Sequence, residues 1–206
     1  MDTNTYITRY LDEMRVIAEE LKSTKVEVIK KMLTVLAAVR DRGGRVFFAG
    51  VGGGAGTGSH ATNDFMKIGG LPTVCLSDNV SLLTALANDE GWESIFVQQM
   101  AMHKFSSADC LFIFSVGGGS ATASQNLVRA IDHAIEVGAP VLGVVGKATG
   151  HAARMGTAVL VIPTVAEERI TPHAESWQLV LDHLLVNALA QLPVERVSVS
   201  AQAAER

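Results

Sequence analysis

Two residues that can move a proton or bind a metal ion, His60 and Asp64, lie four positions apart in the stretch GSHATNDF. If this stretch is helical, both side chains project from one face, because residues four apart are neighbours on a helix surface. An imidazole and a carboxylate placed in this way can hold a divalent cation or act as a paired acid and base. The same pair is also common on ordinary helices, so its chemistry depends on its surroundings.

The pair follows a glycine-rich stretch, and a second such stretch occurs later in the chain. Six of the nine residues from Gly50 to Gly58 are glycine, and VGGGSATAS spans residues 116–124. Each stretch follows an apolar segment that predicts a strand. Glycine turns between a strand and a helix let backbone N–H groups approach an anion such as phosphate. Glycine can also serve only the turn and the helix packing, but two such loops favour a ligand site.

Alternating apolar strands and amphipathic helices predict the elements that position these residues. Five alternating units indicate an α/β fold with a doubly wound parallel sheet. The predicted strands are 45–50, 71–77, 109–115, 140–146 and 158–163. Two helices that break near Ser23 and Thr24 are predicted within 5–40. Further helices are predicted at 58–67, 81–89, 93–105, 126–138, 151–155 and 171–192. In the last helix, Thr171 is the predicted N-cap and Pro172 takes the first position.

A dinucleotide-binding fingerprint is the first alternative for the glycine stretch. Gly50, Gly52 and Ala55 do match its glycine spacing after a strand. However, the glycines continue to Gly58, where the helix of that motif is already packed. The acidic residue after the next strand, Asp78, also comes 28 residues after Gly50 rather than about 20. We therefore expect no nucleotide cofactor.

Composition narrows the class of protein further. The chain has 206 residues, 48% of them hydrophobic, which is enough for one buried core and predicts a single domain over 1–206 with a flexible tail at 193–206. A net charge of -4 without a basic cluster argues against direct nucleic-acid binding. No apolar run is long enough to span a membrane. Cys75 and Cys110 lie in apolar segments, which favours free buried thiols and a reducing, cytoplasmic location.

Five segments in order carry a family resemblance: RVFFAGVGGGAGTGSHATND, LSDNVSLLTALANDEGWESIFVQQ, DCLFIFSVGGGS, LGVVGKATG and ESWQLVLDH. The sequence resembles the SIS (sugar isomerase) domain family over roughly residues 5–190, and within it the phosphoheptose isomerases. The resemblance implies a three-layer α/β/α sandwich with a five-stranded parallel sheet and N-terminal helices. It also implies a homotetramer with active sites at subunit interfaces.

The resemblance implies a phosphate site made by the loop after the third strand. We expect this loop and the first glycine loop together to hold the phosphate, and residues 76–99, which we call the middle segment, to order the sugar hydroxyls or the loop. The family's hydroxyl-rich loop reads SVGGGS here, so Val116 and Gly117 replace two hydroxyl residues. In the first loop, Val51 and Gly54 replace an asparagine and a serine. The candidate substrate residues are Gly52, Gly53, Gly54, Ser115, Gly118, Gly119, Ser120, Thr122, Ser124, Asp78, Asn88 and Asp89, of which the last three could instead cap helices.

The resemblance also implies the acid, the base and a metal site. His60 and Asp64 match a histidine and a glutamate of the family, and Glu175 and His183 match a glutamine and a histidine. Asp64 is the candidate base and His183 the candidate acid. All four residues are candidate zinc ligands, in a set that would also admit manganese or iron. Eight residues rise about 12 Å along a straight helix, which is too far for Glu175 and His183 to reach one ion together. One of the two would therefore have to lie at an irregular helix start or belong to the site of a neighbouring subunit.

These observations predict a phosphosugar isomerase that interconverts an aldose and a ketose phosphate and resembles phosphoheptose isomerase. The alternative is a non-catalytic relative that binds a sugar phosphate or acts as an adaptor, as the replication-initiator-associating proteins of this family do. The loss of loop hydroxyls favours that alternative, and the retention of His60 and His183 opposes it. The remaining histidines, His103, His133, His151 and His173, are expected at the surface or in packing, with His173 as the substitute if His183 has no role.

Overall fold

The computed structural model describes residues 2–194, which form a five-stranded parallel sheet between two layers of helices. The predicted three-layer α/β/α architecture is confirmed. The strands are β1 (Val46–Gly50), β2 (Thr73–Cys75), β3 (Cys110–Ser115), β4 (Val141–Val145) and β5 (Ala158–Val161). The helices are α1 (Thr3–Thr24), α2 (Val26–Asp41), α3 (Gly53–Lys67), α4 (Val80–Asp89), α5 (Ile95–Met102), α6 (Gln125–Glu136), α7 (His151–Met155) and α8 (Ile170–Gln191).

The strand order β2-β1-β3-β4-β5 places β1 and β3 side by side, with Gly50 opposite Phe114. The chain runs outward from β1 to β2, then returns to β3 and continues in the other direction. The loops after β1 and β3 therefore diverge at the point where ligands bind in open α/β sheets. Both predicted glycine loops lie at this point.

Alternation along the strands divides the core between the two faces of the sheet. Phe48 and Phe112 point toward α1, α2, α3 and α8, whereas Phe47 and Leu111 point toward α4, α5, α6 and α7. Strands β1, β3 and β4 are buried along their full length, as expected for parallel strands covered on both sides. The two faces thus place α3 and α8 together on one side of the sheet.

Two of the helix starts that differ from the sequence prediction, those of α3 and α8, lie near the predicted site residues. Helix α3 begins at Gly53 rather than near Gly58, so most of the glycines form its first turns. A Cβ on Gly54 would lie 2.2 Å from the Phe114 carbonyl oxygen, so only glycine allows the helix to start this close to β3. The Gly52 φ of +62° supplies the turn before it.

Thr171 is not the N-cap of α8, and that prediction is wrong. A 3₁₀ turn, Glu167–Arg169, runs directly into the helix, which begins at Ile170 with Arg169 in the capping position. Pro172 is therefore in the third helical position, where its missing N–H costs little because the first turn has no internal acceptors for these donors.

Other predictions concern the cysteines, the membrane and the tail. Cys75 and Cys110 are free and buried, as predicted. Among the described helices, none combines the length and the apolar character that crossing a membrane requires. Most of the predicted tail, residues 195–206, lies outside the described residues.

Candidate functional site

Helices α3 and α8 lie side by side and run in the same direction. A Cβ on Gly53, at the start of α3, would contact the Glu175 carboxylate, and one on Gly69, just after the end of α3, would contact Leu189. This alignment brings the middle of α3 against the middle of α8. His60 and Asp64 consequently face residues 182 and 183.

Four side chains from these two helices form one cluster, which we call the α3/α8 cluster: His60, Asp64, Asp182 and His183. One nitrogen or carboxylate oxygen from each residue lies within 4.8 Å of those of the other three. Asp64 Oδ2 is 3.3 Å from His60 Nε2 and 3.2 Å from His183 Nδ1. Two imidazoles therefore converge on one carboxylate oxygen.

Burial gives the members of the cluster different access to solvent. Asp64 is buried, and its Oδ1 accepts a hydrogen bond of 2.8 Å from Asn63 Nδ2. The side chains of His60 and His183 are 44% and 50% exposed, and their rings meet edge to face. A ligand or ion arriving from solvent would meet the two imidazoles first, with the carboxylates behind them.

Asp182 is the member that the sequence analysis did not select. Its side chain is fully buried, and both carboxylate oxygens are without a hydrogen-bond partner. Burial, and then the nearby charge of Asp64, raises the pKa of Asp182 to about 7. A signal was present in the sequence, because Asp182 falls within the stripe of α8 positions that becomes buried: Gln178, Leu181, Asp182, Leu185, Val186 and Leu189.

The structure brings together three of the four residues expected to hold a metal and places the fourth elsewhere. Glu175 lies on α8 about two turns before His183, and its carboxylate carbon is 2.5 Å from where a Cβ on Gly53 would be. The 12 Å rise between these positions on a regular helix keeps Glu175 out of the α3/α8 cluster. Its carboxylate instead covers the first turn of α3.

The loop after β3 is held by its own hydroxyl groups. Buried Ser115 Oγ accepts a hydrogen bond of 3.0 Å from Gly118 N, and Ser120 Oγ accepts from the backbone N–H groups of Thr122 and Ala123. In each case the hydroxyl hydrogen is left to donate to a ligand. Left-handed backbone occurs at three candidate substrate residues of this loop: Gly118, Gly119 and Ser124.

The candidate substrate residues of the middle segment lie at the surface. Asp78, Asn88 and Asp89 are exposed, and Asn88 Nδ2 donates to Asp89 Oδ1 at 2.7 Å. The alternative that they cap helices is wrong, because Asn79 caps α4 through Leu82 N and Gly91 precedes the 3₁₀ turn Trp92–Ser94. Their predicted contact with the sugar stays a prediction.

The other four histidines lie away from the α3/α8 cluster. His173 is buried with its Nε2 2.9 Å from Glu13 Oε2, so it is not placed to substitute for His183. His151 pairs with Asp132 at 2.6 Å. The remaining two contact aromatic rings, His103 that of Phe47 and His133 that of Phe105. These positions agree with the expected surface and packing roles.

Comparison with known proteins identifies several phosphoheptose isomerases among the relatives of this chain. A family model described as SIS domain matches residues 9–146. The phosphoheptose isomerase of Burkholderia pseudomallei is 30% identical over 88% of this chain and 91% of its own, and that of Syntrophotalea carbinolica is 28% identical over 91% and 93%. The solved phosphoheptose isomerase of Neisseria gonorrhoeae superposes with a TM-score of 0.80 over 91% of this chain and 99% of its own, at 22% identity, and so shares the fold.

Proposed function

We propose that this chain, which belongs to the SIS domain family, is a phosphosugar isomerase that interconverts an aldose phosphate and a ketose phosphate. The observation that carries the proposal is the convergence of His60, Asp64 and His183 from two helices on one face of the sheet. Curated relatives that match nearly the whole chain are phosphoheptose isomerases, so a heptose 7-phosphate is the first substrate class to test.

The phosphate is assigned to the loop after β3. Ser115 and Ser120 have hydroxyl hydrogens free to donate, and the glycines between them let the backbone approach a ligand closely. The first loop is less suited to an anion, because the Glu175 carboxylate lies against Gly53 and would repel a phosphate there. We therefore assign Gly52, Gly53 and Gly54 to the sugar rather than to the phosphate.

Aldose–ketose isomerisation moves a proton between adjacent carbons, and a second proton between their oxygens. It requires a base beside the carbon and an acid beside the carbonyl oxygen. Asp64 is the candidate base, and its position is fixed by Asn63 and by the two imidazoles. His183 is the candidate acid, because its Nδ1 faces Asp64 and its Nε2 lies on the opposite side of a half-exposed ring.

A divalent metal ion is part of the proposal, because the family resemblance implies one and the donors present fit it. His60, Asp64 and His183 offer two imidazole nitrogens and a carboxylate oxygen, a set that zinc accepts in proteins. When bound, such an ion polarises a carbonyl or hydroxyl oxygen of the substrate. Manganese and iron are compatible with the same donors.

The proposal includes assembly into a homotetramer with active sites at subunit interfaces. Three large apolar side chains of α8 beside His183 are substantially exposed: Leu179, Val180 and Leu184. An exposed apolar patch of this kind is typical of a surface that another chain covers. Light scattering on the purified protein would give the number of subunits. The two free, buried thiols fit a reducing compartment, so we place the protein in the cytoplasm.

The test is an assay of sedoheptulose 7-phosphate and smaller ketose and aldose phosphates, followed by NMR of the sugar carbons in D₂O. We expect isomerisation with exchange of one carbon-bound hydrogen. Asp64→Asn should lower kcat by about 10²–10⁴, because it removes the base but preserves the shape of the side chain. Glu136→Gln, a change of an exposed acid at the end of α6, is the matched control and should keep full activity.

The second candidate function is binding of a sugar phosphate without turnover. The observation that favours it is the replacement of side chains that could contact the sugar by Val51, Gly54, Val116 and Gly117 in the two loops. Saturable binding of the sugar phosphates, with no isomerised product formed by wild type, would support this candidate and exclude the isomerase.

A further inference from the structure

Asp182 is a buried carboxylate without a counter-charge. Both of its oxygens are inaccessible to solvent and accept no hydrogen bond. Among the ion pairs formed within residues 2–194, its only partner is His60, at 4.0 Å, and no lysine or arginine reaches it. Transfer of a carboxylate from water into a protein interior without a partner is unfavourable, so an acidic side chain at this position needs an explanation.

The neighbours of Asp182 make its position more costly in the absence of a cation. Asp64 is buried beside it, and the two acids share the space between His60 and His183. Two carboxylates so close repel each other, and no lysine or arginine among residues 2–194 pairs with Asp182 to offset their charge. A doubly charged cation between them would balance the two negative charges and give the unpaired carboxylate of Asp182 a partner.

Within one chain, Glu175 cannot supply the same oxygen. Its carboxylate lies at the first turn of α3, against Gly53, and the regular helix holds it about 12 Å along the axis from His183. Asp182 precedes His183 directly and projects into the cluster from the buried side of α8. The oxygen donor expected at Glu175 is therefore available at Asp182 within the same chain.

We propose that Asp182 is a metal ligand and completes a set of two histidines and two carboxylates with His60, Asp64 and His183. The inference rests on the proposed function, which includes a divalent cation at His60, Asp64 and His183. The assignment differs from the family resemblance in its fourth ligand, which is Asp182 rather than Glu175. A bound cation would supply the counter-charge that buried Asp182 otherwise lacks.

The experiment is a zinc titration of untagged, chelator-stripped protein, with metal content measured by elemental analysis and Co²⁺ absorption as a spectroscopic probe. Wild type should bind one ion per chain. Asp182→Asn should lower the affinity for zinc at least about 100-fold, because loss of groups that only support ligands already costs 10–100-fold. Glu175→Gln is the matched control on the same helix, and its affinity should stay within about twofold of wild type.

Folding is checked separately by thermal unfolding in chelator. Asp182→Asn should be at least as stable there as wild type, because a neutral amide replaces an unpaired buried charge. Zinc should raise the Tm of wild type and of Glu175→Gln, and the rise should be much smaller for Asp182→Asn. The inference is overturned if wild type binds no zinc, if Asp182→Asn binds as wild type does, or if Glu175→Gln loses as much affinity as Asp182→Asn.

These readouts separate the inference from the proposed function. Zinc binding that depends on Asp182, in a protein that isomerises no sugar phosphate, would keep the metal site and remove the isomerase. Isomerase activity in a protein that binds no zinc, Co²⁺ or Mn²⁺ would keep the function and overturn the role of Asp182.

Discussion

Helix α8 contributes to two clusters of carboxylates and imidazoles, and they differ in one component. Near its start, Arg169 and His173 meet Glu13 of α1, and we call these three residues the α1/α8 cluster. About three turns later, Asp182 and His183 join His60 and Asp64 in the α3/α8 cluster. The first cluster contains an arginine, and the second contains no permanent cation.

The arginine leaves the carboxylate of the α1/α8 cluster fully paired. Arg169 donates to both oxygens of Glu13, at 2.7 and 2.6 Å, and His173 and Arg9 add further contacts. Hydrogen bonds from Arg169 are the largest cause that lowers the pKa of Glu13 to about 2. In the α3/α8 cluster, burial without a cation raises the pKa of Asp182 to about 7.

The same residue types stabilise the fold where the cluster contains an arginine, and they remain available to a ligand where it does not. A buried acid that is paired joins two helices, here α1 and α8. A buried acid that is unpaired lowers stability and persists where something else binds it.

An arginine introduced into the α3/α8 cluster should have the largest effect. His60→Arg should place a guanidinium beside Asp64 and Asp182, because position 60 is half exposed and can accept the longer side chain. We expect zinc affinity to fall at least about 100-fold and the Tm of the metal-free protein to rise by a few degrees. Zinc titration and thermal unfolding in chelator measure the two effects.

His60→Gln is the control for this change, since it removes the imidazole without adding charge. It should lose zinc affinity and show no rise in metal-free Tm. Wild-type zinc affinity in His60→Arg would contradict the prediction.

The converse change removes the paired acid from the α1/α8 cluster. Glu13→Gln should lower the Tm by roughly 5–10 °C, because it leaves the buried guanidinium of Arg169 with only the exposed Glu168 as a charged partner. Glu168→Gln, which removes an exposed partner of the same arginine, should change the Tm by less than about 2 °C. Differential scanning calorimetry measures both, and equal shifts in the two variants would show that burial of the pair has no special effect.

A smaller effect is expected in the pH dependence of stability. The pKa of Glu13 is lower in the folded protein than its ordinary value of 4.5, so ionised Glu13 favours folding. This contribution is complete above pH 4.5 and is lost as the pH falls toward 2. The gap in unfolding free energy between wild type and Glu13→Gln should therefore narrow from pH 5 to pH 3, as urea titrations would measure. A constant gap would contradict the assigned pKa.

The architecture and the local part of the site follow from patterns along the chain. Alternation of apolar strands with amphipathic helices is a local pattern, and it predicted all five strands and the sheet class. The four-residue spacing of His60 and Asp64 likewise fixed that they share a helix face. The order of motifs indicated the SIS domain family, which the family model and the relatives confirm.

The distant residues that join this local pair are set by the packing of α8 on α3. Helix α3 starts at Gly53 because it packs against the β3 backbone, and no local signal marks that start. The parallel packing of α8 on α3 brings Asp182 to the cluster and leaves Glu175 at Gly53. Residues 64 and 182 are separated by more than a hundred positions, so their contact depends on how whole helices pack on the sheet, which spacing along the chain does not encode.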